Sequence, residues 1–171
     1  MTQLTEMPQT NLSMNKDVYR VYVLEDESLL RQLVIAYVES IGGIEMIGSS
    51  GDGAVAMKEI VAKEPDLVFA DIRVPEVSGL EALYLIKRRL PNTKVILFSG
   101  SITSDNIRIA YDGQVDAFIE KGEGLSEFQE AIEAVRSGKR YYSEHVRRVL
   151  LALEGERALN DMYTKQDQKG G

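Results

Sequence analysis

Short segments with the composition of β-strands alternate with segments of helical periodicity along most of this 171-residue sequence. Apolar runs bounded by Gly, Pro or acidic residues indicate buried strands, and apolar residues recurring every three or four positions indicate amphipathic helices. Such alternation is typical of βαβ units, which build a parallel sheet with right-handed crossovers. We predict strands over residues 19–24, 44–49, 67–71, 94–98 and 115–119, followed in turn by helices over residues 29–38, 54–63, 80–90, 102–111 and 126–138.

These five units predict an α/β fold, a (βα)5 doubly wound parallel sheet of strand order 2-1-3-4-5 with an extra C-terminal helix. Residues 1–16 are polar, without the apolar core of a signal peptide, and are expected to be a disordered leader. Residues 17–140 form the predicted domain. Residues 141–171 are expected to be a connector at Tyr141 and Tyr142, a helix from Ser143 onward, and a polar, frayed tail over residues 161–171.

Composition excludes several classes of function. A net charge of −7 argues against direct binding of nucleic acid, because that affinity depends on clustered Lys and Arg. The absence of cysteine removes thiolate chemistry, and the single His145 excludes sites with several histidine ligands. No apolar run approaches the roughly 18–20 residues that cross a bilayer. We therefore expect a cytoplasmic protein without membrane association.

Distinctive polar residues stand at the carboxyl ends of four predicted strands. The first strand ends in Glu25 and Asp26, the third in Asp71, the fourth in Ser99 and the fifth in Lys121. Each residue alone is compatible with an ordinary solvated turn. Together they favour a site, because the carboxyl ends of parallel strands meet at one edge of the sheet, where ligands bind.

The chemistry of this set is coherent. Crowded carboxylates repel one another, and a hard divalent cation such as Mg2+ relieves the repulsion. Asp26, Asp71 and a backbone carbonyl near Arg73 offer oxygen ligands, and a carboxylate beside Mg2+ can attack phosphorus. Lys121 and the Ser99 hydroxyl can then bind phosphoryl oxygens. A nucleotide-binding site is disfavoured, since the turn after the first strand is acidic rather than glycine-rich.

With these residues in view, the sequence resembles the receiver domain of bacterial two-component response regulators. The order of acidic pair, acceptor Asp, Ser and Lys matches the family, and the stretch DIRVPEVSG at residues 71–79 is similar to its D-x-x-M-P-x-x-x-G loop. The resemblance implies that Asp71 accepts a phosphoryl group from a phosphohistidine of a sensor histidine kinase. It implies that Glu25 and Asp26 hold Mg2+, Glu25 standing where Asp is common and acting through water.

The resemblance also assigns roles around the acceptor. Ser99 and Lys121 would bind phosphoryl oxygens, and Phe118 would be the switch aromatic that turns inward as Ser99 moves. Arg73 and Ser101 lie at variable positions that are expected to tune phosphorylation and hydrolysis. The fourth strand, the weakly apolar helix after it and the fifth strand are expected to change surface on phosphorylation.

The run from Glu123 through Arg148 is similar to the NarL/FixJ (LuxR) branch, in which a helix-turn-helix DNA-binding domain follows. Residues 143–171 are too few for such a domain. Two interpretations stay open: the receiver part of a longer transcription regulator, or a stand-alone receiver whose terminal helix mediates dimerisation or partner docking. A pseudo-receiver that acts only as an interaction module, and an aspartyl phosphatase similar to the haloacid dehalogenases, are the competing classes. Autophosphorylation and slow self-hydrolysis are expected, without conventional enzymatic turnover.

Overall fold

The computed structural model describes residues 18–167, and the side chains of residues 18–157. The predicted leader, residues 1–16, lies outside the described residues. The strands are β1 Tyr19–Leu24, β2 Ile44–Ser50, β3 Leu67–Asp71, β4 Lys94–Ser99, β5 Ala117–Glu120 and β6 Tyr141–Tyr142. The helices are α1 Ser28–Ser40, α2 Gly53–Lys63, α3 Gly79–Arg89, α4 Ser104–Asp112, α5 Leu125–Arg136 and α6 Glu144–Asp167.

In the described part of the chain, the strands form one parallel sheet of order β2-β1-β3-β4-β5-β6. The predicted order of the first five strands is confirmed. The interpretation of Tyr141 and Tyr142 as a connector is wrong, because they pair with Ala117 and Phe118 at the sheet edge. The Tyr141 amide donates to the Asp116 carbonyl at 3.0 Å. Residues that leave α5 thus cover the free backbone edge of β5.

Side-chain alternation along the strands sends apolar residues into two cores, one on each face of the sheet. In β1, Val21 and Val23 face the core under α1 and α5, and Tyr22 and Leu24 face the core under α2, α3 and α4. Burial on both faces explains the continuous apolar runs by which the strands were predicted.

Helix starts follow local capping chemistry. Ser78 begins α3 with a reciprocal capping box to Glu81, and the Thr103 hydroxyl accepts from the amide of Asn106, so α4 begins at Ser104 rather than at residue 102. The sequence of residues 126–129, Ser-Glu-Phe-Gln, predicts a capping box at the start of α5, and this prediction is wrong, because Ser126 lies inside the helix. Gly124, with φ of 96°, is the residue before α5, and this left-handed turn starts the helix one residue earlier, at Leu125.

The predicted terminal helix is confirmed as α6, which continues to Asp167 through part of the tail expected to fray. Val146 is fully buried in the core that α4 also covers. Farther along, Arg157 pairs with Asp112 at the end of α4 at 3.3 Å. The first half of α6 therefore packs beside α4. Among the described helices, α6 included, we find none whose length and apolar character suit a bilayer span.

Candidate functional site

Three carboxylates converge at the carboxyl edge of the sheet. Leu24 of β1 pairs with Ala70 of β3, so the residues that follow them, Glu25 and Asp71, lie side by side. Carboxylate oxygens of Glu25, Asp26 and Asp71 all lie within 4.8 Å of one another. Glu25 is fully buried and Asp71 is 4% exposed, whereas Asp26 faces solvent. The parallel register thus brings together the acids that the sequence placed at this edge.

Lys121 bridges the two buried acids. Its ammonium nitrogen donates to Oε2 of Glu25 at 2.8 Å and to Oδ2 of Asp71 at 2.9 Å. The ammonium also lies 5.0 Å from the centre of the Phe98 ring, within range of a cation–π interaction. The Lys121 backbone amide donates to the Ser99 carbonyl at 3.0 Å, which fixes the root of the side chain at the end of β5.

Burial and pairing act on the protonation of this cluster in opposite directions. Burial raises the pKa of Glu25, while the hydrogen bond from Lys121 partly offsets that rise. For Lys121, burial lowers the pKa, but the hydrogen bonds to Asp71 and Glu25 outweigh it and leave the pKa above its ordinary value. The ammonium therefore stays charged at neutral pH, and it is the counter-ion of both buried acids.

The loop after Asp71 is held in a conformation that requires glycine at its end. The Arg73 amide donates to Oδ1 of Asp71 at 3.2 Å, and the Gly79 amide donates to the Ile72 carbonyl at 3.1 Å. A Cβ at residue 79 would lie 2.2 Å from the Asp71 carbonyl oxygen. The close contact between residue 79 and the Asp71 backbone thus makes glycine a steric requirement at the end of this loop.

The remaining predicted residues lie near the same edge but make local contacts. The Ser99 hydroxyl is buried and exchanges hydrogen bonds with the Ser101 backbone, at 3.2 Å from its amide and 3.1 Å to its carbonyl. The side chains of Ser101 and Arg73 are exposed. Phe118 is already 1% exposed, in the core beneath α4, so the described conformation is the inward one.

Arg31 is a contact of the site that the sequence interpretation missed. From the first turns of α1, its Nη1 donates to the Glu25 carbonyl at 2.6 Å and to the Asp26 carbonyl at 3.4 Å. Contacts to backbone carbonyls do not depend on the identity of the contacted residues, so they produce no recognisable sequence motif. The available signal was a basic residue five positions after the acidic pair, within reach of the loop from the following helix.

The donor set fits a hard divalent cation. Three carboxylates offer oxygen atoms at one point, and one of these carboxylates, that of Asp26, is exposed to solvent. Mg2+ binds few carboxylates and keeps several waters, so a half-open cluster of this kind suits it. Glu25 and Asp71 would be the buried ligands of such a cation, and Asp26 the accessible one. The Arg73 contact to Asp71 is through its amide, and a ligand role for its carbonyl stays a prediction.

The sequence and the fold were both compared with those of known proteins. Residues 21–133 match the response regulator receiver domain. The response regulator GacA of Pseudomonas viridiflava is 28% identical over 127 residues, 74% of this chain and 59% of that protein. The response regulator protein VraR of Staphylococcus saprophyticus is 25% identical over 151 residues, 88% of this chain and 72% of that protein.

A crystal structure of a DNA-binding response regulator of the LuxR family from Staphylococcus aureus has a TM-score of 0.65. It is 29% identical, over 68% of this chain and 97% of that one. This chain spans 59% of the length of GacA, so the activity and partners of the whole relatives do not transfer directly. The resemblance inferred from the acidic edge is confirmed: the chain belongs to the response regulator receiver domain family, as a signalling domain of the LuxR/NarL type.

Proposed function

We propose that Asp71 accepts a phosphoryl group from a phosphohistidine of a sensor histidine kinase in a Mg2+-dependent reaction. The observation that carries the proposal is the convergence of Asp71 with Glu25, Asp26 and Lys121 at one point. An Asp that only began a turn would have no reason to share a site with two further acids and a lysine. The acceptor oxygen and the groups that can bind the product are present together.

The chain's own residues supply orientation and charge. A carboxylate oxygen of Asp71 forms the O–P bond as the N–P bond of the donor breaks, and the departing imidazole keeps the electron pair and takes a proton from solvent. Bound Mg2+ supplies neutralising charge for the carboxylates and the incoming phosphoryl oxygens. Before the reaction, the Lys121 ammonium donates to Oδ2 of Asp71. In the product, it donates to a phosphoryl oxygen instead. The Ser99 hydroxyl gives up its hydrogen bonds to the Ser101 backbone and donates to a second phosphoryl oxygen.

The exchange at Ser99 is the proposed origin of the switch. Its hydroxyl holds the backbone of the loop that leads into α4, so moving it repositions that loop. Phe118 lies beneath α4 in the inward conformation, which we propose phosphorylation stabilises. The surface of β4, α4 and β5 then changes, with self-hydrolysis of the aspartyl phosphate ending the signal.

The proposed output is transcription control through a DNA-binding domain beyond this chain, with a homodimer as the active assembly. Similarity to LuxR-family regulators supports it. A stand-alone receiver or a pseudo-receiver is the alternative. The ion-paired Lys121 and Asp71 argue against the pseudo-receiver, because a vestigial site has no need to keep both partners. An aspartyl phosphatase is disfavoured, because Arg73 occupies the position two residues after Asp71, where such enzymes carry a second Asp.

Labelling by a small phosphodonor tests the chemistry. The chain is incubated with acetyl phosphate, with and without Mg2+, and its intact mass is measured. We expect a gain of one phosphoryl group that requires Mg2+ and is lost in Asp71→Asn. Equal labelling of Asp71→Asn, or no labelling of wild type at saturating donor and Mg2+, refutes the proposal. The molecular mass in solution, measured with and without the phosphoryl mimic beryllofluoride, then tests the proposed homodimer. A monomer under both conditions contradicts the homodimer but not the phosphorylation of Asp71.

A further inference from the structure

The backbone of the acidic loop after β1 is held from two sides. The Glu25 amide donates to the Ser50 carbonyl at 3.0 Å, and the Glu25 carbonyl accepts from Nη1 of Arg31 at 2.6 Å. The Glu25 side chain accepts from the amide of Glu27 at 3.0 Å and from Lys121 at 2.8 Å. Each backbone and side-chain polar group of this fully buried residue therefore has a partner, and Arg31 is the one that fixes its carbonyl.

Arg31 also extends to the next residue and to the adjoining loop. Nη1 lies 3.4 Å from the Asp26 carbonyl, so one nitrogen connects the backbones of both acids of the pair. A Cβ at Gly51, in the loop after β2, would lie 2.8 Å from that nitrogen. The guanidinium is thus enclosed between the acidic loop and Gly51, a position that is open only because residue 51 lacks a side chain.

We infer that Arg31 is a positioning residue for divalent-cation binding: it holds the backbone of Glu25 and Asp26 so that their carboxylates stay oriented toward Asp71. The inference rests on the proposed function. Arg31 contacts carbonyls and not the carboxylates, so its role is to orient the ligands. In other metal sites, groups that orient the ligands in this way change metal affinity by roughly 10- to 100-fold when removed.

The positioning role and simple electrostatics predict opposite changes in Mg2+ affinity when Arg31 is removed. Arg31 is a cation close to a cation site, so by charge alone its removal strengthens Mg2+ binding. By positioning, its removal weakens Mg2+ binding, because the Glu25 carbonyl loses its donor and the loop is free to move. The sign of the change in affinity on removal of Arg31 therefore separates the two.

Two variants disturb the contact in different ways. Arg31→Met removes the guanidinium and its charge. Gly51→Ala keeps the charge and places a methyl group against Nη1, the movable end of a long side chain, so the guanidinium shifts while the fold is retained. Arg20→Met is the matched control. Arg20 lies at the other end of β1 and donates to the Glu64 carbonyl at 3.3 Å, so this change removes the same charge and the same kind of contact away from the site.

Mg2+ alone is titrated into each protein, and the amide shifts of residues 25–27 and 51 are followed by NMR. We expect the dissociation constant to rise roughly tenfold in Arg31→Met and to rise less, in the same direction, in Gly51→Ala, with Arg20→Met unchanged. The Mg2+ concentration that half-saturates labelling by acetyl phosphate rises in parallel. At saturating Mg2+ we expect both variants to be labelled at a rate near that of wild type. A generally damaged fold would instead lower the labelling rate at every Mg2+ concentration.

Unchanged or tighter Mg2+ binding in Arg31→Met overturns the inference, as does an equal loss in Arg20→Met. If Arg31→Met does not fold, Gly51→Ala decides: wild-type affinity in that variant is the contradicting result. Failure of the proposed function appears differently, as a wild-type protein that neither binds Mg2+ nor takes up a phosphoryl group. Wild type that does both, together with variants that bind Mg2+ equally well, refutes the role of Arg31 alone.

Discussion

Removal of the Lys121 ammonium should leave two buried acids without their counter-ion. In Lys121→Met, the fully buried Glu25 and the 4% exposed Asp71 lose ion pairs of 2.8 and 2.9 Å. Breaking a buried pair by removing one partner costs about 3–5 kcal/mol. The Lys121 side chain is 20% exposed, so we expect the lower end, about 3 kcal/mol. For a protein of this size, that corresponds to a melting temperature lower by roughly 6–12 °C.

Mg2+ should compensate for part of this loss. In wild type the ammonium already offsets part of the negative charge of the two acids, whereas in Lys121→Met the cation meets uncompensated carboxylates and binds more tightly. At ten times its dissociation constant, a ligand stabilises the folded state by about 1.4 kcal/mol. At one fixed Mg2+ concentration we therefore expect a larger rise of melting temperature in Lys121→Met than in wild type.

Thermal denaturation, with and without Mg2+, measures both effects. Arg148→Met is the control, because it removes a cation from an exposed pair with Glu144 and should change stability by less than about 0.5 kcal/mol. The double variant Glu25→Gln/Lys121→Met, in which the buried charge is also removed, should be more stable than Lys121→Met. A loss below about 1 kcal/mol in Lys121→Met, or a smaller Mg2+ response than in wild type, would refute this reasoning.

Two further changes test the loop after Asp71 and a buried acid elsewhere. Gly79→Ala places a Cβ 2.2 Å from the Asp71 carbonyl oxygen, so we expect a loss of roughly 3 kcal/mol and slower labelling by acetyl phosphate. The control Gly42→Ala, whose Cβ meets nothing within 4 Å, should retain both properties, and equal melting temperatures for the two variants would contradict the steric argument. Burial raises the pKa of Glu127, whose Oε2 is buried without a hydrogen bond while Oε1 accepts from Tyr141. The folded state therefore holds this proton more tightly than the unfolded state, and its stabilising contribution is full below the ordinary carboxyl pKa and lost as pH rises through the raised pKa. Glu127→Gln should remove that part of the pH dependence and be roughly 1 kcal/mol more stable than wild type at neutral pH, as measured by urea denaturation across pH; parallel pH profiles would contradict it.

The order of the first five strands and the acidic edge were predictable, because both depend on alternation and on where each apolar run stops. The parts that were missed depend on the backbone. Tyr141 and Tyr142 form a strand only because the β5 edge is free beside them. The start of α5 follows from the left-handed turn at Gly124, which overrides the capping pattern at Ser126. Arg31 contacts carbonyls, which every residue has, so residue identity did not reveal its partners.

The charge of the site explains why a metal and a lysine are both useful there. When ionised, the three carboxylates and the Lys121 ammonium leave two negative charges, which one divalent cation neutralises. A phosphoryl group on Asp71 replaces one negative charge by about 1.5 to 2. In the proposed reaction the product would therefore be close to neutral only with a divalent cation bound. Lys121 would then be free to follow the phosphoryl oxygens, because the cation would take over its part in neutralising Glu25. If Arg31 positions Glu25 and Asp26 as inferred, it would set how readily that exchange occurs.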